Sequence, residues 1–274
     1  IGSAEHWVAV PEDRDEQPVR KFACFTQDLH AMAAWLKQCK VQTVVMESTG
    51  VYWIPLFQML ETHGFEVKLV NAKQAKNVPG RKTDVLDCQW LQRLHTYGLL
   101  SGSFRPDDAI CVLRSYWRHR TTLISYISSH IQHMQKALTQ MNVQLHKVIS
   151  DITGVTGMKI IRAILSGERD PVTLAQLKNY RIQSTTETIA KALEGDYRQE
   201  HLFSLKQAVE LYDFYQQQVQ ACDREIARYL RQLDGIDIAS NPIPPSKRRI
   251  QKHKGNQPDF DLRTHLYRIS GVDF

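Results

Sequence analysis

Apolar and polar positions change rhythm along this chain of 274 residues, and each rhythm predicts an element. Residues 6–10 (His6-Trp7-Val8-Ala9-Val10) alternate and stop at Pro11, the pattern of a strand. After an acidic, Pro-containing turn at 11–18, residues 19–25 read as its hairpin partner. Leu29, Met32, Leu36 and Cys39 share one helical stripe within 28–39. The run 41–46 (VQTVVM) is apolar and β-branched, as in a buried strand. Helical spacing returns over 52–63 through Trp53, Leu56, Phe57 and Leu60, and Gly64 is placed to cap that helix. Residues 65–70 (FEVKLV) read as a strand, Pro79-Gly80 breaks the chain, and a helix is expected near 84–97. The order strand, strand, helix, strand, helix, strand, helix predicts an α/β domain with a mixed sheet over residues 1–104.

The spacing then becomes heptad-like. Apolar residues recur at alternating threes and fours from Ile110 through Leu113, Trp117, Ile124, Ile127, Ile131, Met134, Leu138, Met141, Leu145 and Val148 to Ile152, with only Arg120 interrupting. This predicts one long coiled-coil helix in which Trp117 belongs to the packed seam. A second run, Leu205 to Leu233, predicts a second such helix that pairs with the first, with another subunit, or with both. Residues 105–234 thus form a helical coiled-coil region with a small helical insert at 153–204, where Gly154, Gly157, Gly167 and Pro171 break the pattern. Gly154-Val155-Thr156-Gly157 reads as a helix-capping turn rather than a phosphate loop. Residues 235–274, with Pro242, Pro244 and Pro245, read as an irregular basic linker.

Composition narrows the class. The chain is 42% hydrophobic and 23% charged, which excludes a disordered, collagenous or disulfide-scaffold protein. No apolar run approaches a membrane span, no signal peptide is recognisable, and five cysteines without a CxxC pair argue for a reducing, cytoplasmic setting. The net charge of +6 is modest, so its distribution carries the information. Between Ala109 and Ser150 there is no Asp or Glu, while Arg114, Arg118, Arg120, Lys136 and Lys147 all fall there. Such a helix repels a copy of itself and attracts a polyanion, unless acids on a neighbour such as Asp223 and Glu225 neutralise it. Tyr116, Trp117, His119 and Tyr126 add aromatic rings near the arginines, where unpaired bases stack. Lys247, Arg248, Arg249, Lys252 and Lys254 form a basic run that serves equally as a solubilising linker or a flexible nucleic-acid contact. His130 and His133 share a helical face but lack a third ligand, and are read as surface histidines.

Three carboxylates stand out. Glu47 ends a predicted buried strand, where open α/β sheets place their chemistry. Asp84 and Asp87 lie three apart on one helical face that Leu91 and Leu94 continue toward the sheet. Two acids on a core-facing stripe need compensation, either from the helix dipole or from a cation. Mg²⁺ favours such hard oxygen ligands, and two ions about 4 Å apart stabilise the attacking and leaving oxygens of a phosphodiester displacement. Lys82, beside the pair, is placed to meet a phosphate.

The runs VVMESTGVYWIPLFQMLETHGFEVKLVNAKQAKNVPGRKTDVLDCQWLQRL and ITGVTGMKIIRAILSGERDP resemble the DEDD insertion-sequence transposases, the KTDxxD block most specifically. The resemblance implies an α/β RNase H-like (RuvC-like) N-terminal domain and a site holding Mg²⁺ or Mn²⁺. It makes Glu47, Asp84 and Asp87 the second, third and fourth acids of a tetrad. The family's first Asp, in a Gly-Ile-Asp type motif, is expected just before Ile1; Glu5, Asp13 and Asp15 do not replace it. A C-terminal domain bearing a DNA-attacking serine is expected after LYRISGVDF, and Ser270 does not match its motif. The implied function is RNA-guided cleavage and exchange of donor and target DNA by a dimer or tetramer joined through the coiled coil, with a bridge RNA choosing the DNA. Two other readings stay open at this point: a junction-resolving metal nuclease, and a non-enzymatic coiled-coil nucleic-acid-binding protein.

Overall fold

In the computed structural model, residues 1–48, 50–71, 83–245 and 255–273 are described. The chain divides into two compact units, Ile1–Pro106 and Asp107–Phe274.

The first unit runs β1 (Glu5–Ala9), β2 (Val19–Ala23), α1 (Thr26–Gln38), β3 (Thr43–Glu47), α2 (Trp53–Thr62), β4 (Glu66–Val70) and α3 (Asp84–Thr96). Its strands differ from the expected single mixed sheet. Among the described residues β1 pairs antiparallel with β2, and β3 pairs parallel with β4, as two separate two-stranded sheets. The local patterns are satisfied within each pair, since a hairpin and a strand-helix-strand crossover each form without the other. The core lies between helices and strands: Leu29, Met32 and Leu36 of α1 meet Leu56 and Leu60 of α2 and Met46 of β3. Gly64 follows α2 with φ 84°, the left-handed backbone its position requires.

The second unit is built on two long helices, α4 (Asp108–Gln140) and α9 (Gln199–Gln232). Between them lie α5 (Leu145–Val148), α6 (Val155–Leu165), α7 (Pro171–Gln176) and α8 (Thr186–Leu193); α10 (Leu262–Ser270) follows. Tyr116 meets Tyr229, Arg120 meets Asp223, and Tyr126 meets Tyr215. Partner numbers fall as α4 numbers rise, so the two helices are antiparallel. Leu123, Ile127 and Val219 fill the middle of the seam. At one end Met134 and Leu138 join Leu205 and the insert residues Ile160, Ile161 and Leu174 in the largest core.

The expected helix to Ile152 is corrected here. It stops at Gln140, and Asn142 turns the chain with φ 57°. Met141, Leu145, Val148 and Ile152 keep the apolar spacing because they pack in the insert's core, not because the helix continues. The tail is not wholly irregular either. Helix α10 docks by Arg268, whose guanidinium donates to the carbonyls of Leu230 and Leu233 at the C-terminal end of α9.

Candidate metal site and nucleic-acid face

Strand β3 ends in Glu47, half-buried, and helix α3 begins with Asp84 and Asp87 in its first turn. All three line one cleft of about 1510 Å³ in the first unit. A hydrogen bond ties these two elements together: Thr43 Oγ1 and His95 Nε2 lie 2.8 Å apart. From that tie the strand extends about 13 Å to Glu47, and the helix about 12 Å to Asp87.

The helix start is capped by Thr83, whose hydroxyl accepts from Leu86 N at 3.2 Å. Neither aspartate is the cap. Both are exposed, and α3 buries no residue fully, so the expected core-facing stripe is corrected: the acids and Leu91 border an open cleft. Exposure removes the desolvation cost of two neighbouring acids. Exposed carboxylate oxygens suit a hard divalent cation completed by water or phosphate oxygens. Among the described residues no three His, Cys, Asp or Glu side chains stand gathered as a ligand group. The donor chemistry fits a hard cation. Glu5 and Asp15 are engaged elsewhere: Glu5 pairs with Lys21 at 3.1 Å, and Asp15 takes Arg20 at 2.9 Å and Trp35 Nε1 at 2.9 Å. These contacts hold both carboxyls below their ordinary range.

Two cleft histidines escaped the sequence reading. His95 lies eleven residues after Asp84, three turns along the same face, and that spacing is the signal that could have found it. Burial, aided by Lys68, lowers its pKa. His6 of β1 is buried, which also lowers its pKa, and its Nδ1 has no hydrogen-bond partner among the described residues. A lone histidine in a strand carries no sequence signal of this kind.

On the second unit, Arg114, Arg118 and Lys136 are exposed on α4 and form no ion pair among the described residues. Arg120 is corrected. It is 3% exposed, and Nε and Nη2 donate to Asp223 at 2.5 and 3.2 Å, while Nη1 donates to the carbonyl of Asn256 at 2.9 Å. It fills a seam position and is withdrawn from the phosphate-contacting set. Trp117, expected in the seam, is 39% exposed with the Arg120 guanidinium 5.4 Å from its ring. Of the two acids thought able to neutralise α4, Asp223 takes Arg120 and Glu225 takes Arg228. Lys82, Lys247, Arg248, Arg249, Lys252 and Lys254 lie outside the described residues.

A family model described as Transposase, of the DEDD type named for IS110 elements, matches residues 1–143, just over half of the chain. No curated protein matches it. No helix among the described residues is long and apolar enough to cross a membrane.

Proposed function

Because the chain belongs to the DEDD transposases of IS110-type insertion sequences, we propose that its cleft is a phosphodiester-processing site for DNA strand cleavage and exchange. Residues 1–104 are read as a RuvC-like catalytic domain and 105–234 as the helical region that joins subunits, with 235–274 leading toward a C-terminal domain. The observation that carries the reading is the shared cleft of Glu47, Asp84 and Asp87.

In this reading Glu47, Asp84 and Asp87 hold Mg²⁺ or Mn²⁺ through hard oxygens, and the ion when bound supplies Lewis-acid stabilisation of charge on phosphate oxygens. The chain's own contribution is position. Thr83 fixes the start of α3, and the Thr43–His95 hydrogen bond sets α3 against β3. The N-terminal end of α3 carries partial positive charge, which favours both the aspartates and an approaching phosphate. Arg114, Arg118 and Lys136 hold nucleic acid by its backbone, which positions without reading sequence. Lys82 and the 247–254 cations belong to the same proposed set. Guidance by a bridge RNA, a serine nucleophile from a C-terminal domain, and assembly as a dimer or tetramer enter on the family resemblance.

Asp84→Ala and Asp87→Ala in the natural full-length protein test this directly. Each is expected to abolish DNA exchange, to weaken Mg²⁺ binding by calorimetry, and to leave circular dichroism unchanged. Exchange retained in either variant overturns the metal assignment. Hydrolysed DNA ends without a protein–DNA adduct in the unmutated protein favour a junction-type nuclease instead.

A further inference from the structure

One side of the α4–α9 hairpin carries aromatic rings that the proposed cleft chemistry does not use. Tyr126 packs on Tyr215 with centroids 5.2 Å apart, and His130 stacks on Tyr215 at 5.5 Å and 14°. Phe214 meets Tyr215 edge-on at 5.4 Å, and His133 approaches His130 at 5.6 Å. Despite these contacts Tyr126 is 46% and Phe214 49% exposed. His119, Tyr126 and His133 recur every seven residues, so they project from one side of α4, about 10.5 Å apart, and all three are exposed. Burial, with His133 beside it, lowers the pKa of His130, so its ring is a neutral π surface at physiological pH.

We infer that this face is a stacking platform for the unpaired bases of a single-stranded nucleic acid. The inference rests on the proposed nucleic-acid-holding role of the helical region and specifies what is held there. Every base has a π face, so exposed rings bind strands with little regard to sequence. The charge around the rings fits a polyanion. Arg118 lies within a quarter turn of Tyr126, and Lys136 within a quarter turn of His133; neither is ion-paired among the described residues. The carboxylates of α9 are each matched by a base: Glu200 by Arg198, Glu210 by Lys206, Asp213 by Arg162, Asp223 by Arg120 and Glu225 by Arg228. They offer little repulsion to phosphate. A second copy docked with α4 against α4 would instead bring together two stretches, 109–140, that hold no acid and carry Arg114, Arg118 and Lys136, which their like charge opposes.

Fluorescence anisotropy with three labelled probes tests this on the 274-residue chain, in EDTA so that the cleft acids play no part. The probes are a 20-nucleotide oligothymidylate, a 20-nucleotide oligouridylate and a 20-base-pair DNA duplex. The double variant Tyr126→Ala/Phe214→Ala is expected to lose roughly tenfold in affinity for a single strand while duplex affinity holds. Comparing the thymidylate and uridylate arms identifies whether DNA or RNA is the strand preferred. Tyr126→Phe, which keeps a ring, is expected to retain binding, which separates stacking from a folding defect. Single-strand affinity unchanged in the double variant overturns the platform alone. That result with dissociation of an oligomer in light scattering assigns the face to protein contact, which also overturns it. Failure of the unmutated chain to bind any of the three probes removes both the platform and the nucleic-acid role of the helical region.

Discussion

Asp84 is exposed beside a cap it does not form, so its proposed role and the stability of the helix start separate. Asp84→Asn is expected to change unfolding free energy by no more than about 0.5 kcal/mol, whereas Thr83→Ala, which removes the cap, should cost about 1 kcal/mol; urea titration measures both. Arg120 and Asp223 behave oppositely. Their side chains are 4% and 5% exposed, so Asp223→Ala leaves an unpaired buried guanidinium and is expected to cost about 3–5 kcal/mol, while Arg120→Met/Asp223→Leu recovers most of that loss. Glu47 at a strand end and Asp84 and Asp87 at i, i+3 were legible as single candidates because sequence defines those positions; that they line one cleft is a long-range outcome that periodicity does not carry. Arg120 was not legible. Its charge was visible, but which side of α4 faces α9 is decided by packing, and a single charge inside an apolar heptad reads equally as a break or as a buried half of a pair.

At the level of elements, the α/β order and most strand and helix positions in the first unit follow directly from periodicity. The sheet does not, because strand pairing is a long-range choice that local alternation leaves open. The overextended α4 teaches the same lesson from the other side: heptad spacing through Ile152 reflects burial, and burial by the insert mimics burial by a partner helix. The deciding signal was Asn142, a residue type that tolerates left-handed backbone. Asn142→Val is accordingly expected to destabilise by about 1–2 kcal/mol and Asn142→Gly to be close to neutral, as urea unfolding would show. Retained stability in the valine variant would mean that α4 can run on past Gln140.

For the molecule as a whole, burial lowers the pKa of His6, His95, His130 and His265. The unfolded chain therefore binds protons on these groups more readily than the folded one, and their contribution to stability, full above the ordinary histidine pKa near 6.5, is lost as pH falls below it. The melting temperature should drop between pH 7 and 5, and His95→Gln should flatten part of that slope; a level profile would count against buried neutral histidines. A second loss is expected at more acid pH, where Asp15, Asp170 and Asp261, held below the usual carboxylate range by hydrogen bonds, are protonated.

The charge pair inside the hairpin also sets a length. A slip of one heptad would place Arg120 opposite Gln216 or Leu230, and Asp223 opposite Leu113 or Ile127, leaving two seam ions without an opposite charge. Apolar seams tolerate sliding; this one has a single notch. The two helices thus form a strut of about 50 Å whose far end, crowned by the helical insert, keeps one fixed separation from the end that carries Arg114 and Arg118.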